Sequence, residues 1–266
     1  MPRPTRSSKK RHQPIAQPPL RRQVTTLWDY PSQDYGGKQQ GIKGYAGATP
    51  SYIIWNLLER YTKPKDLIVD PCCGSGTTLD VARDLDRKAL GYDVHPQRKD
   101  IFNRDARDLP PELSGKVDFV FIDPPYADHL DYGDDKRDIG KLKADGGYYD
   151  AMADVAREIH RVLKPSGHAA IYISDSYKHN KTGGTFHPLG FEVFDATRKH
   201  LEPVDIVSVV RHNRTLEMGN YRKAADEGNY FLRGFNYLFI FRKAKAKPAT
   251  AGKGPRKGRK PRRAGG

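Results

Sequence analysis

The chain has 266 residues, enough for one sizeable α/β domain and too few for two. Its formal charge of +15 is unevenly placed: residues 1–23 carry seven bases and residues 242–266 eleven, with no acid in either, which leaves the stretch between them at −3. No apolar run reaches eighteen residues, no apolar stretch follows the N-terminal charges, and the adjacent Cys72 and Cys73 form neither a disulfide framework nor zinc spacing. These features exclude membrane, secreted and zinc-finger classes and predict a cytoplasmic protein.

The two tails, 1–23 and 243–266, are rich in Lys, Arg, Pro, Gly and Ala. They lack the apolar surface to offset the entropy of ordering, so both are expected to be disordered around a single domain over 24–242. Residues 24–48, with Trp28, Tyr30, Tyr35 and Tyr45 among glycines, read as an irregular segment lying against that domain. Thr49-Pro50 has the form of an N-cap followed by proline at the first helical position. Ile53, Ile54, Leu57, Leu58 and Tyr61 then mark the apolar face of a helix that Pro64 stops.

Leu67-Ile68-Val69-Asp70 is a strand ending in the tight turn Pro71-Cys72-Cys73-Gly74-Ser75-Gly76. A helix over about Thr78 to Arg87 follows, then a strand from Ala89 to Asp93. Phe119 to Asp123 is a continuous apolar run ending in an acid and two prolines, as in a central strand of a covered parallel sheet. Tyr149, Met152, Val155, Ile159 and Val162 mark a further helix, closed by Lys164-Pro165-Ser166-Gly167 before a strand from Ala169 to Ile173. Val204 to Val210 and Tyr237 to Phe241 predict an antiparallel pair at the end of the sheet. The alternation as a whole predicts a doubly wound, Rossmann-like α/β fold, mostly parallel.

The glycine turn sits at the carboxyl end of the first strand of that alternation, where nucleotide-like ligands bind. Gly74 and Gly76 permit positive φ and close backbone approach. Asp93 follows Asp70 by 23 positions, close to the spacing of the acid that accepts from ribose hydroxyls, and Asp105 is placed to hold an adenine amino group. A phosphate loop needs Lys and then Ser or Thr after its second glycine, but Thr77-Thr78 stand there; a dinucleotide fingerprint needs a third glycine, but Leu79 stands there. An acid before the glycines repels a pyrophosphate and suits a cation, so Asp70 fits the ammonium end of S-adenosylmethionine. A plain structural turn is the competing reading.

Asp123-Pro124-Pro125-Tyr126 carries more chemistry. An exocyclic base amine is a poor nucleophile because its lone pair is delocalised into the ring. Two acceptors, the Asp123 carboxylate and the Pro124 carbonyl, can bind both N–H hydrogens and free that lone pair. Pro125 has no N–H and stiffens the turn, and Tyr126 is expected to stack on a base that has left the helix.

The motifs Asp-Pro-x-x-Gly-Ser-Gly-Thr at 70–77, Gly-Tyr-Asp-x-x-Pro at 91–96 and Asp-Pro-Pro-Tyr at 123–126, with Thr49-Pro50 ahead of them and Leu163-Lys164-Pro165-Ser166-Gly167 after, resemble the S-adenosylmethionine-dependent adenine-N6/cytosine-N4 DNA methylases. The resemblance covers roughly residues 45–243. It implies a methyltransferase sheet, cofactor binding by Thr49, Asp70, Cys72, Gly74, Gly76, Thr77, Asp93 and Asp105, and a target base held by Asp123 to Tyr126. No metal is implied, and His95, His179 and His187 show no metal spacing. Asp at the head of the tetrapeptide favours adenine N6 over cytosine N4.

Cys72-Cys73 departs from the aromatic or apolar pair common in the family and reads as packing. There is no obvious target-recognition domain. Residues 127–147, which include His129, read as a lid. Residues 211–234 interleave five bases with Tyr221, Tyr230 and Phe231, and serve either as a nucleic-acid contact or as a solvated hairpin loop. Two other functions stay open: an RNA amino methyltransferase, and a non-catalytic nucleic-acid-binding protein on a methylase scaffold. In each case the tails are the expected phosphate contacts.

Overall fold

The computed structural model describes residues 19–126, 135–144, 146–180 and 183–245. Most of both basic tails, and residues 127–134 and 145 of the expected lid, with His129 among them, lie outside these described residues. Ten strands and five helices follow in chain order: β1 (Leu27–Trp28), α1 (Ser51–Tyr61), β2 (Leu67–Asp70), α2 (Thr77–Asp84), β3 (Lys88–Asp93), β4 (Ile101–Asn103), β5 (Val117–Ile122), α3 (Tyr148–Val162), β6 (Leu163–Ile173), β7 (Ser176–Asn180), β8 (Gly183–His187), α4 (Leu189–Arg198), β9 (Glu202–Val210), α5 (Gly219–Glu227) and β10 (Phe235–Arg242).

Eight strands form one sheet in the order β1-β9-β10-β6-β5-β2-β3-β4, and β7 and β8 form a separate antiparallel hairpin. Only β10 runs against its neighbours in the main sheet; the other pairings are parallel. The expected β9–β10 pair is therefore present, but it does not end the sheet. β10 is inserted between β6 and β9, and β1 adds a parallel strand beyond β9. The segment read as irregular thus supplies the edge, because Trp28 buries its ring there and is 3% exposed.

The strands are apolar on both faces because both are covered. Val69, Val120, Ile122, Ala169, Ile171, Phe239 and Phe241 face α3 and α4. Ile68, Phe119, Phe121, Ala170, Tyr172, Leu238 and Ile240 face α1 and α2. Period-two alternation along β5, β6 and β10 divides these residues between the two cores.

Several boundaries move for identifiable reasons. α2 stops at Asp84, and Asp86 then turns left-handed at φ 59°. Lys164 to Gly167 do not merely close α3; they already lie in β6, with Ser166 at φ 65° and a register shift against β5. Lys243, expected in the C-terminal tail, is tied to the fold: its N–H donates to Gly167 O at 2.9 Å and its Nζ to Leu163 O at 2.8 Å. Among the described residues no helix is long and apolar enough to cross a membrane.

Candidate active site

β2, β5 and β6 are neighbours and end at the same edge, which brings the turn after β2 beside the tetrapeptide after β5. One cavity of about 630 Å³ runs along this edge. Thr49, Asp70, Cys72, Gly74, Thr77, Asp93, Asp105 and Asp123 to Tyr126 all line it. Of the residues assigned from the sequence, Gly76 alone is not in the wall. Its φ of 80° turns the chain into α2, and a Cβ there would lie 2.4 Å from the Arg98 guanidinium, which is paired with Asp80 at 2.8 Å.

At the end of β2, Asp70 is 3% exposed and accepts from the Thr78 hydroxyl at 2.5 Å and from Cys72 N–H at 3.1 Å. Burial pushes its carboxyl up to about 7, against these hydrogen bonds and with help from the Asp93 and Asp123 charges. A carboxylate in this state gains from a cationic guest. Asp93 accepts from Gly74 N–H at 2.8 Å and from His95 N–H at 2.8 Å, so it is fixed in place with further lone pairs left over. Gly74 lies at φ 45°, and a Cβ there would press on Tyr45. Asp105 is clamped by Arg107 at 2.6 Å, so an amino group reaching it shares the carboxylate with that guanidinium. The residues present fit S-adenosylmethionine: an acid for the ammonium, a bare turn, and an oriented acid for ribose hydroxyls. Burial raises both thiols well above their usual range, and Cys73 is core, consistent with packing.

On the neighbouring strand's end is Asp123. Its Oδ2 accepts from the Thr49 hydroxyl at 2.5 Å and its Oδ1 from the Tyr126 hydroxyl at 3.1 Å. Thr49 therefore does not cap α1, which begins at Ser51 without a side-chain cap. The hydroxyl goes to the carboxylate instead, because a buried acid is the costlier group to leave without a donor. Burial pushes Asp123 up to about 7, although Thr49, Tyr126 and the Arg211 charge act in the other direction. Tyr148, on α3, donates to Pro125 O at 2.7 Å and holds the Pro-Pro turn from behind.

Further residues complete this chamber, of which only Arg211 lies in a segment read from the sequence as a candidate contact. Tyr30, Tyr52, Tyr172, Arg211 and Asn236 line it. The Tyr30 and Tyr52 rings meet at 4.9 Å, and Tyr172 follows the residue paired with Ile122, so it stands beside Asp123 across β5–β6. Asn236 lines the same wall as Tyr172, and burial raises the Tyr172 hydroxyl well above its usual range. Among the described residues, four side-chain atoms of this lining are buried with no hydrogen-bond partner in the protein: His95 Nε2 and Asp138 Oδ2, which lie 3.7 Å apart, and the Tyr52 hydroxyl and Asn236 Oδ1. Tyr52 was hidden in the apolar face of a helix and Tyr172 in an apolar strand. Asn236 was the legible one, a lone amide in the aromatic run Phe235 to Phe241.

The sheet order and the residues along its edge agree with the family that the sequence motifs resemble. A family model described as DNA methylase, of the N6/N4 methyltransferase type, matches residues 2–104 and 117–263, and the chain belongs to that family. Among characterised proteins it is similar to the Type II methyltransferase M.HinfI of Haemophilus influenzae, 27% identical over 27% of this chain and 20% of that protein. It is also similar to M.ScaI of Streptomyces caespitosus, 28% identical over 31% of this chain and 28% of that protein. The matched stretches are thus less than a third of either relative. Among solved structures, TrmN from Thermus thermophilus aligns over 74% of this chain and 50% of its own, at 16% identity and a TM-score of 0.49.

Proposed function

We propose that the protein transfers a methyl group from S-adenosylmethionine to the exocyclic amino nitrogen of a base extruded from DNA, adenine N6 before cytosine N4. The observation that carries this reading is the single cavity. A carboxylate suited to an ammonium and a carboxylate suited to a base amine open into the same space.

S-adenosylmethionine, when bound, supplies a methyl group already activated on a sulfonium, and its sulfur leaves with the S–C electron pair as a thioether. Asp70 holds the ammonium end and Asp93 the ribose hydroxyls. Asp123 and the Pro124 carbonyl take the two amine hydrogens. The hydroxyls of Thr49 and Tyr126 keep the carboxylate oriented and leave lone pairs for the amine. After N–C bond formation the nitrogen carries a positive charge and an acidic proton, and Asp123, with its carboxyl near 7, is placed to receive it. The unpartnered Tyr52 hydroxyl and Asn236 Oδ1 suit the polar edge of the base, since a buried polar group without a partner is costly.

Incubation with methyl-labelled S-adenosylmethionine and matched DNA and RNA, followed by nucleoside mass spectrometry, tests this. The expected product is N6-methyladenine or N4-methylcytosine in DNA. Asp123→Ala is expected to abolish transfer with cofactor affinity retained. Undiminished turnover in that variant would show that another group activates the amine, and label found only in RNA would replace the DNA reading.

A further inference from the structure

Beyond the cavity, exposed aromatic side chains stand on the chain leading into β10 and on the hairpin packed against it. Phe231 is 86% exposed, with Phe186 and Phe235 also open to solvent. The chain around Phe231 is nonetheless anchored. Tyr230 stacks on Tyr177 of β7 with ring centroids 5.0 Å apart and planes 10° from parallel. The Arg233 guanidinium donates to Phe231 O at 2.7 Å and lies 5.2 Å from the centre of the Phe186 ring on β8. Tyr230 N–H donates to Ala225 O at 3.0 Å. The chain on either side of Phe231 is thus fixed to the β7–β8 hairpin or to α5, while its own ring stands in solvent.

The position follows from the ladder. Arg211 N–H donates to Gly234 O at 3.0 Å, and Arg211 lines the cavity. Phe231 is three residues from Gly234, hence within about 10 Å of chain from the rim. The segment also carries Arg211, Arg214, Arg222, Lys223 and Arg233 against Glu217, Asp226 and Glu227, a net positive charge. An exposed ring on anchored backbone, within about 10 Å of chain from the rim and among cations, matches the bases and phosphates of a nucleic acid.

We propose that Phe231 is a wedge that enters the base stack of duplex DNA next to the target and occupies the space the extruded base leaves. Extrusion costs stacking and pairing, and an apolar side chain inserted at the step recovers part of that cost. The role rests on the methylase reading above, and single-stranded DNA separates the two, because there no partner strand or closed stack has to be held open.

The test uses the full chain, plasmid DNA in native and in heat-denatured form, and labelled-methyl incorporation read by nucleoside mass spectrometry. Phe231→Ala is expected to lower the rate on duplex roughly 10- to 100-fold, the scale of removing one aromatic ring from a base stack, and to leave the single-strand rate within about twofold. Phe231→Trp is expected to restore the duplex rate. Equal reductions on both forms, or an unchanged duplex rate, overturn the wedge while leaving the methylase reading in place. A shift of Phe231→Ala from dimer to monomer in sedimentation, with the duplex defect cured at high protein concentration, also overturns it and assigns the ring to contact with a second copy. A wild-type protein silent on both forms removes the methylase reading, and the wedge falls with it.

Discussion

Asp70 and Asp123 both carry carboxyls raised to about 7 by burial in one cavity. Each must be ionised to do its proposed work, Asp70 toward an ammonium and Asp123 toward a base amine. Since kcat/KM follows the ionisation of the free enzyme, it is expected to fall with a slope of up to two below about pH 7 and to level off above it. Asp70→Asn should reduce that slope to one. A wild-type profile flat from pH 5 to 8 would show that neither acid governs the reaction. The same shifts act on stability in a defined direction. A carboxyl whose folded pKa lies above its unfolded value loses stability for the fold as pH rises from about 4 to about 7. Asp123→Asn is therefore expected to raise Tm relative to wild type more at pH 8 than at pH 5. These two acids were legible in the sequence because each ends an apolar strand. The doubly wound fold expected from the sequence sets their two turns side by side, and the β2–β5 pairing provides this; Tyr52 and Tyr172, which help to close the cavity, were not legible.

At the scale of elements, the regular parts announced themselves by periodicity and the others did not. The face of α1 and the runs of β2, β5 and β10 read directly. α4 escaped because Gly190 in its first turn weakens the helical signal, and the structure gives the reason for that glycine. A Cβ there would lie 2.5 Å from the Tyr237 ring. That ring cannot retreat: it stacks on Phe239 at 5.3 Å and its hydroxyl donates to Asp175 at 3.1 Å. Gly190→Ala should gain about 1 kcal/mol of helix propensity and lose more to overpacking, about 1–3 kcal/mol. The denaturation midpoint is expected to fall, and a rise would mean that the close approach is not tight. The β7–β8 hairpin and α5 escaped for another reason. Among the described residues of α5 only Ala225 is buried, so α5 has no apolar stripe to read. Tyr177, Tyr230, Phe186 and Arg233 hold this region together through pairings across more than forty positions of sequence.

For the whole molecule, the division of charge persists as a physical problem. The body carries several acids in its cavity, and the proposed substrate is a polyanion. Removing residues 1–18 and 246–266, which leaves the anchored Lys243 in place, is expected to weaken DNA binding. Its salt dependence should flatten by about 0.9 in log–log slope for each phosphate that the tails neutralise. Methyl transfer at low salt should survive. An unaltered salt slope would move the phosphate-binding cations to the folded body, with the 211–234 segment first in line. What the sequence by itself determined was local: which runs are strands, where the glycine turn and tetrapeptide fall, and which chemistry each of them suits. These depend on side-chain period and on residues whose function is intrinsic to their type. The tertiary structure alone decided that β10 enters between β6 and β9, that Thr49 serves Asp123 rather than α1, and that Tyr52, Tyr172 and Asn236 complete the chamber. Each of these joins residues distant in the chain, and such pairings are selected by the packing of the whole sheet, which no local pattern encodes.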